Sequence, residues 1–210
     1  MHRMDVVVAG GHGKVGLRLL RLLAEHGHRA RGIVRKTEYV QDLADVGAEA
    51  VLCDMEEMED LSGCCAGADA VVFAAGAGPG SGPERKRTVD YGGAVKLMNA
   101  GVRRYVMVSA ISVDRPQEWS EEMRPYYEAK ADADRALLES GLDYTIVRPG
   151  WLTDDPGTGL VTVGTDLDGQ VPRDDVAATL LAVLETPSTI GKVFELISGD
   201  TPIDEAVRSL

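Results

Sequence analysis

The chain has 210 residues, 44% of them hydrophobic and 27% charged, with a formal net charge of −12 and an isoelectric point near 4.7. Size and apolar content suit a single domain over 1–210 with a buried core. The acidic balance argues against a nucleic-acid partner, and the apolar runs are too short to span a membrane.

The N-terminus passes directly into a strand pattern without an apolar signal core, so no export signal and a cytoplasmic setting are expected. Cys53, Cys64 and Cys65 form no disulfide framework and are expected to be reduced. The histidines, His2, His12, His26 and His28, lack metal-ligand spacing, so no metal is expected.

Short apolar runs predict strands at Asp5–Ala9, Ala30–Val34, Ala50–Cys53, Ala70–Ala74, Tyr105–Ser109, Tyr144–Val147 and Val193–Ile197. Helical patterns lie between and after them, at Lys14–His26, Tyr39–Val46, Met58–Cys64, Arg87–Ala100, Pro125–Ser140 and Arg173–Glu185. Gly27, Gly47, Gly101 and Gly141 each close a helical run before a strand, as a left-handed C-terminal residue does. Near-continuous apolar strands alternating with helices mean parallel pairing through crossovers. The expected fold is α/β: a doubly wound parallel Rossmann sheet of about seven strands with helices on both faces. Two irregular stretches, 76–83 and 151–172, follow the fourth and sixth strands. They belong on the ligand side, the second as a small C-terminal substrate lobe.

Gly10, Gly13 and Gly16 form G-x-x-G-x-x-G between the first strand and the first helix. A tight turn, close approach of a pyrophosphate to backbone N–H groups, and close strand–helix packing each need one glycine. Lys14, inside the loop, is a candidate phosphate contact. About 20 residues on, an NAD site would carry a carboxylate for the ribose hydroxyl. Here stand Arg35 and Lys36, which suit a 2′-phosphate. NADP is therefore the expected cofactor, with NAD as the alternative. Asp54 sits where it could meet the adenine amino group. The cofactor-side candidates are Gly10, His12, Gly13, Lys14, Val15, Gly16, Arg35, Lys36, Asp54, Met55, Ala74, Ala75, Gly76, Pro149 and Gly150.

Tyr126 and Lys130 are four residues apart and share a helix face. An ammonium beside a phenol lowers the phenol's pKa, which suits an acid/base working on a carbonyl or alcohol oxygen. Ser109 and Ser112, at the end of the fifth strand, are the candidates for orienting that oxygen. Reach favours Ser112.

The glycine loop, Arg35, the Tyr126/Lys130 pair, SGLDYTIVRPGWLTDDPGTG and PRDDVAATLLAVLE together resemble the short-chain dehydrogenase/reductase superfamily. The resemblance is closest to its atypical, NmrA-like or NAD(P)H-binding branch of small proteins, and covers nearly the whole chain. It implies a Rossmann fold with NADP across the strand ends, Arg148, Pro149 and Gly150 beside the nicotinamide, and Trp151 on the substrate side. Ala110 departs from a common second serine in relatives. The branch holds reductases and epimerases, and also non-catalytic redox-sensing regulators. The first class is expected here because Tyr126 and Lys130 are both kept; the regulator is the alternative. A small-molecule substrate is expected, with no nucleic acid or membrane partner, and a monomer or homodimer.

Three further features are assigned plainer roles. Arg85, Lys86 and Arg87 read as a solvated helix start, with contact to an anionic substrate as the alternative. Asp154 and Asp155, before Pro156, read as a turn. Arg173 opens a helix whose first turn carries Asp174 and Asp175, as the helix dipole favours.

Overall fold

The computed structural model describes residues 3–78 and 80–210. His2, weighed above as a ligand, and Pro79, inside the 76–83 loop, lie outside the described residues.

Seven strands carry the parallel framework: β1 (Asp5–Ala9), β2 (Arg29–Val34), β3 (Glu49–Leu52), β4 (Ala70–Phe73), β5 (Arg104–Val108), β6 (Asp143–Pro149) and β10 (Lys192–Ser198). Their order, β3-β2-β1-β4-β5-β6-β10, reverses direction between β1 and β4. That reversal opens a crevice at the strand carboxyl ends, the usual place for a dinucleotide.

The sheet is larger than the sequence predicts. The 151–172 segment folds as β7 (Trp151–Thr153), β8 (Leu160–Gly164) and β9 (Gln170–Pro172). β8 runs antiparallel beside β10, and β11 (Thr201–Pro202) pairs antiparallel with β8, giving nine strands in the main sheet among the described residues. β7 and β9 form a separate parallel pair. These strands are two to five residues long and interleaved with Gly, Thr and Asp. They carry no apolar period, and only their pairing makes them strands.

Strand alternation divides the core. Val6 and Val8 of β1 face one side with Leu19, Leu20 and Leu23 of α1 (Lys14–Glu25) and Val176, Leu180 and Val183 of α6 (Arg173–Glu185). Val7 and Ala9 face the other side, with Phe73, Tyr105, Leu97 of α4 (Ala94–Met98), and Ala133 and Leu137 of α5 (Arg124–Glu139). Each fully buried Leu or Phe contributes roughly 1.5–3 kcal/mol against exposure. Helix α2 (Val40–Asp45) lies between β2 and β3, and α7 (Ile203–Arg208) ends the chain.

Two predicted helices change. Met58–Cys64 is a run of turns and bends rather than a helix. Asp60 accepts hydrogen bonds from the Ser62 N–H at 2.8 Å and the Ser62 hydroxyl at 2.9 Å, a local pairing that competes with helix formation. The helix expected from Arg87 begins earlier, with α3 (Pro83–Lys86), because Pro83 fits the first helical position. It continues through a π segment, Arg87–Gly93, into α4.

The cysteine reading is corrected as well. Cys53, after β3, and Cys64, in the turn region, are joined as a disulfide with a Cα–Cα distance of 6.6 Å, and buried Cys65 is free. The separation of 11 residues carries no motif; the loop between β3 and β4 brings the two thiols together. No helix among the described residues is long and apolar enough to cross a membrane.

Candidate active site

The glycine loop is shaped by close approaches. A Cβ on Gly16 would stand 2.2 Å from the Gly10 carbonyl oxygen, so α1 can sit this near β1 only without a side chain there. Gly10 has φ +81° and passes so near Ala75 that a Cβ would meet its backbone at 2.8 Å. The Gly13 N–H donates to the Gly10 carbonyl at 2.8 Å, and the first turn of α1 carries no acidic residue. Its unpaired N–H groups are therefore open to an anion.

Beside this loop is a cavity of about 270 Å³. Of the cofactor-side candidates, Gly10, His12, Gly13, Arg35, Asp54, Met55, Ala75 and Gly76 line it. So do Tyr39 and Glu56, which no motif singled out, and Arg85 of the basic cluster. The His12 ring stacks on Tyr39 at 3.8 Å between centroids and pairs with Asp42 at 2.7 Å. Asp54 accepts from the Glu56 N–H at 2.9 Å, which turns the chain along the cavity wall. The volume and the bare glycine backbone fit the adenosine end of a dinucleotide.

The other cofactor-side candidates do not line this cavity. Val15 is buried in the core, Lys36 pairs with Glu38 at 3.1 Å, and the Ala74 N–H donates to Ala9. Lys14 is paired with Asp154, whose other oxygen takes Arg173 at 2.9 Å. These cations hold the Asp154 carboxyl below its usual range, with the Lys14 hydrogen bond first. Asp154 thus ties the 151–159 segment to the glycine loop, beyond the turn expected of it. Asp175, on α6, anchors the same segment through the N–H groups of Thr158 at 2.9 Å and Gly159 at 2.8 Å.

Helix α5 presents Tyr126, Lys130 and Asp134 at successive four-residue steps. The Lys130 ammonium donates to the Val108 carbonyl at 3.2 Å, at the carboxyl end of β5. It lies 5.9 Å from the Tyr126 ring centroid and 3.4 Å from Asp90 Oδ1. Lys130, Asp90 and Asp134 are all at most 5% exposed. Asp90, on the π segment, also accepts from the Ala77 N–H at 3.0 Å, which joins the loop after β4 to the ammonium.

The electrostatics revise one expectation. Burial raises the Tyr126 phenol above its ordinary value, against the opposing pull of Lys130. Burial disfavours the Lys130 charge, but Tyr126, Asp90 and Asp134 outweigh it and the ammonium is held up. Asp134 is raised by burial, against Ser109, Arg148 and Lys130, which draw it down. Tyr126 at neutral pH is therefore a proton donor.

The serines part company. Ser109 is buried beside Asp134, close enough to draw that carboxyl down, although its Oγ makes no hydrogen bond of good geometry. Ser112 has φ +62°, and its hydroxyl donates to Glu118 at 3.0 Å and accepts from Arg115 at 2.9 Å. Its carbonyl accepts from the Trp119 indole at 2.8 Å.

Arg148 bonds Asp134 at 3.0 Å and Asp114 at 2.5 Å and lines a second cavity of about 330 Å³ with Arg115 and Glu195. The Pro149 carbonyl accepts from Ile111, and a Cβ on Gly150 would meet the Gly169 carbonyl at 2.2 Å. Trp151 is 65% exposed. The signals that sequence reading passed over were the stripe extending to Asp134 and a buried acid in the helix after the Gly/Pro loop.

Known proteins resemble this chain over its length. A family described as NAD(P)H-binding matches residues 10–187. A Bacillus subtilis protein named as an uncharacterized sugar epimerase, YhfK, is 42% identical over 99% of this chain and 100% of its own. A Bacillus halodurans protein, given as a candidate NAD-dependent epimerase/dehydratase, superposes with a TM-score of 0.94 at 40% identity, covering 99% of this chain and 100% of that one. The oxidoreductase ylbE of Lactococcus lactis gives 0.89 at 32% identity, over 99% of this chain and 96% of its own.

Proposed function

Because this chain belongs to the NAD(P)H-binding family, we propose that it is an NADP-dependent oxidoreductase or epimerase-like enzyme acting on a small substrate through an oxygen-bearing carbon. The observation that carries the reading is the placement of Lys130 between the Tyr126 ring, Asp90 and the carboxyl end of β5. Burying an ammonium is costly unless its charge is paired or used, and this one is paired at a place where it also faces the Tyr126 ring.

Gly10, Gly13, His12, Arg35, Asp54 and Gly76 hold the adenosine and diphosphate parts of the cofactor, with Pro149 and Gly150 further along the strand ends. When bound, the nicotinamide supplies or accepts the hydride. Tyr126 gives its phenolic proton to the substrate oxygen as negative charge develops there, and takes it back in the reverse direction. Lys130 stabilises the phenolate left behind, and Asp90 holds Lys130 toward it. Ser109, whose hydroxyl faces Asp134, assists Tyr126; the Ser112 hydroxyl is engaged by Glu118 and Arg115. Trp151 and the 151–172 segment bound the substrate side.

The test is a carbonyl screen with NADPH on wild type and Tyr126→Phe. Turnover that drops by about 100-fold or more, with NADPH affinity kept, is the expected result. Equal turnover in the variant removes Tyr126 from the chemistry. NADPH binding without turnover on any carbonyl favours the non-catalytic regulator.

A further inference from the structure

Arg85 and Lys86 close the short helix α3, and Arg87 opens the π segment that follows it. Three consecutive cations in that place have three destinations. Arg87 pairs with Asp132 on α5 and lies 4.1 Å from the Tyr91 ring centroid. Lys86 stands 5.4 Å from the Tyr126 ring centroid. Arg85 turns into the wall of the adenosine cavity.

There it meets Arg35 from the end of β2. Arg85 Nη2 is 3.3 Å and Arg35 Nη1 is 3.5 Å from the same oxygen, Glu56 Oε2. Both contacts are long for charge-assisted hydrogen bonds. Glu56 itself is fixed: Thr88 Oγ1 donates to its Oε1 at 3.0 Å, and Lys96 donates to the Met55 and Glu56 carbonyls at 3.0 Å each. Two guanidiniums from separate elements therefore converge on one anchored carboxylate. One negative charge faces two positive ones, and the side chains remain 41% and 47% exposed. A phosphate monoester brings close to two negative charges and three acceptor oxygens, which matches the donors left over.

We propose that Arg85 is a specificity-determining residue, the second arm of a clasp in which it and Arg35 hold the ribose 2′-phosphate of NADP, with Glu56 aiming both guanidiniums. This rests on the preceding reading that the cavity takes NADP. Because Arg85 stands next to Lys86, the same clasp joins cofactor choice to the helix turn that covers Tyr126.

The test is direct binding of NADPH and NADH to the purified wild type, Arg35→Gln and Arg85→Gln, with adenosine 2′,5′-bisphosphate and 5′-AMP as competing probes. For Arg85→Gln we expect NADPH and the bisphosphate to weaken by about tenfold or more, from loss of charged hydrogen bonds. NADH and 5′-AMP should stay within about twofold of wild type, since Arg85 would contact nothing they carry. Unchanged NADPH preference in Arg85→Gln, with preference lost in Arg35→Gln, overturns the role of Arg85 and leaves the NADP reading standing. Equal losses for NADPH and NADH also overturn it, because they mean that Arg85 only holds the loop. A wild type with no NADPH preference defeats the NADP reading itself and this clasp with it.

Discussion

Lys130 Nζ stands 3.4 Å from Asp90 Oδ1, and both side chains are almost completely buried, one on α5 and the other on the π segment of the neighbouring helix. The pair connects the tyrosine that would move the proton to the Ala77 N–H beside the cofactor cavity. Removing either charge leaves the other buried without compensation. We expect Lys130→Met to lower unfolding free energy by about 3–5 kcal/mol, measured by denaturant melts at neutral pH. A loss below 1 kcal/mol would mean that water reaches the pair.

Tyr126 gives a pH prediction. Its phenol is raised above the ordinary value by burial. A raised folded-state value stabilises the protein fully below the unfolded value, about 10, and that contribution is lost as pH rises beyond it. The stability difference between wild type and Tyr126→Phe should therefore shrink as pH is raised from about 9 to 11. Comparing the two proteins isolates this group from Tyr105 and Tyr127, which burial also raises. A difference that does not change with pH would place the Tyr126 hydroxyl in solvent.

Gly16 is tested by size. Its Cβ would fall 2.2 Å from the Gly10 carbonyl oxygen, and backbone cannot step aside as a flexible side chain can. Gly16→Ala should cost about 1–3 kcal/mol by displacing α1 from β1. It should also weaken dinucleotide binding, because the helix N-terminus moves with it. Wild-type melting and wild-type affinity would show that the loop yields freely.

The ion pair between Lys14 and Asp154 competes with any phosphate at the loop. Asp154→Asn should strengthen binding of the dinucleotide by roughly two- to fivefold, the scale of an exposed pair. The gain should fade in high salt. Weaker binding in the variant would show that Asp154 positions Lys14 instead of diverting it.

The disulfide between Cys53 and Cys64 closes a short loop. Cys64→Ser should lower stability by about 2–3 kcal/mol from the freed chain entropy of the unfolded state. Wild type with reductant should melt with the variant. Labelling of the unfolded, unreduced protein should modify Cys65 alone.

The parallel framework was legible because its strands are buried on both faces, so Val6–Ala9 and Ala70–Phe73 read as apolar runs. The glycine loop was legible for a related reason: backbone crowding leaves only glycine at Gly10 and Gly16. What failed to show was anything defined by partners distant in sequence. β8 is a strand because β10 and β11 flank it. Glu56 gains its place from Arg35, Arg85 and Thr88, spread over more than 50 residues. Asp134 lies on the Tyr126/Lys130 face, but its interest comes from Arg148, 14 residues away. The Tyr126 value failed for a different reason. Spacing reveals the ammonium that lowers it but not the burial that raises it further.

The order of the strands also governs how the sheet stops. At one side β11 is two residues long and includes Pro202, which has no N–H to offer a neighbour. At the other side the four-residue β3 begins with Glu49, whose carboxylate is engaged with Arg29 at 2.7 Å. Short length, proline and charge are the features that keep sheet margins from recruiting another chain. A main sheet ended in this way should resist edge-to-edge fibril growth at high concentration.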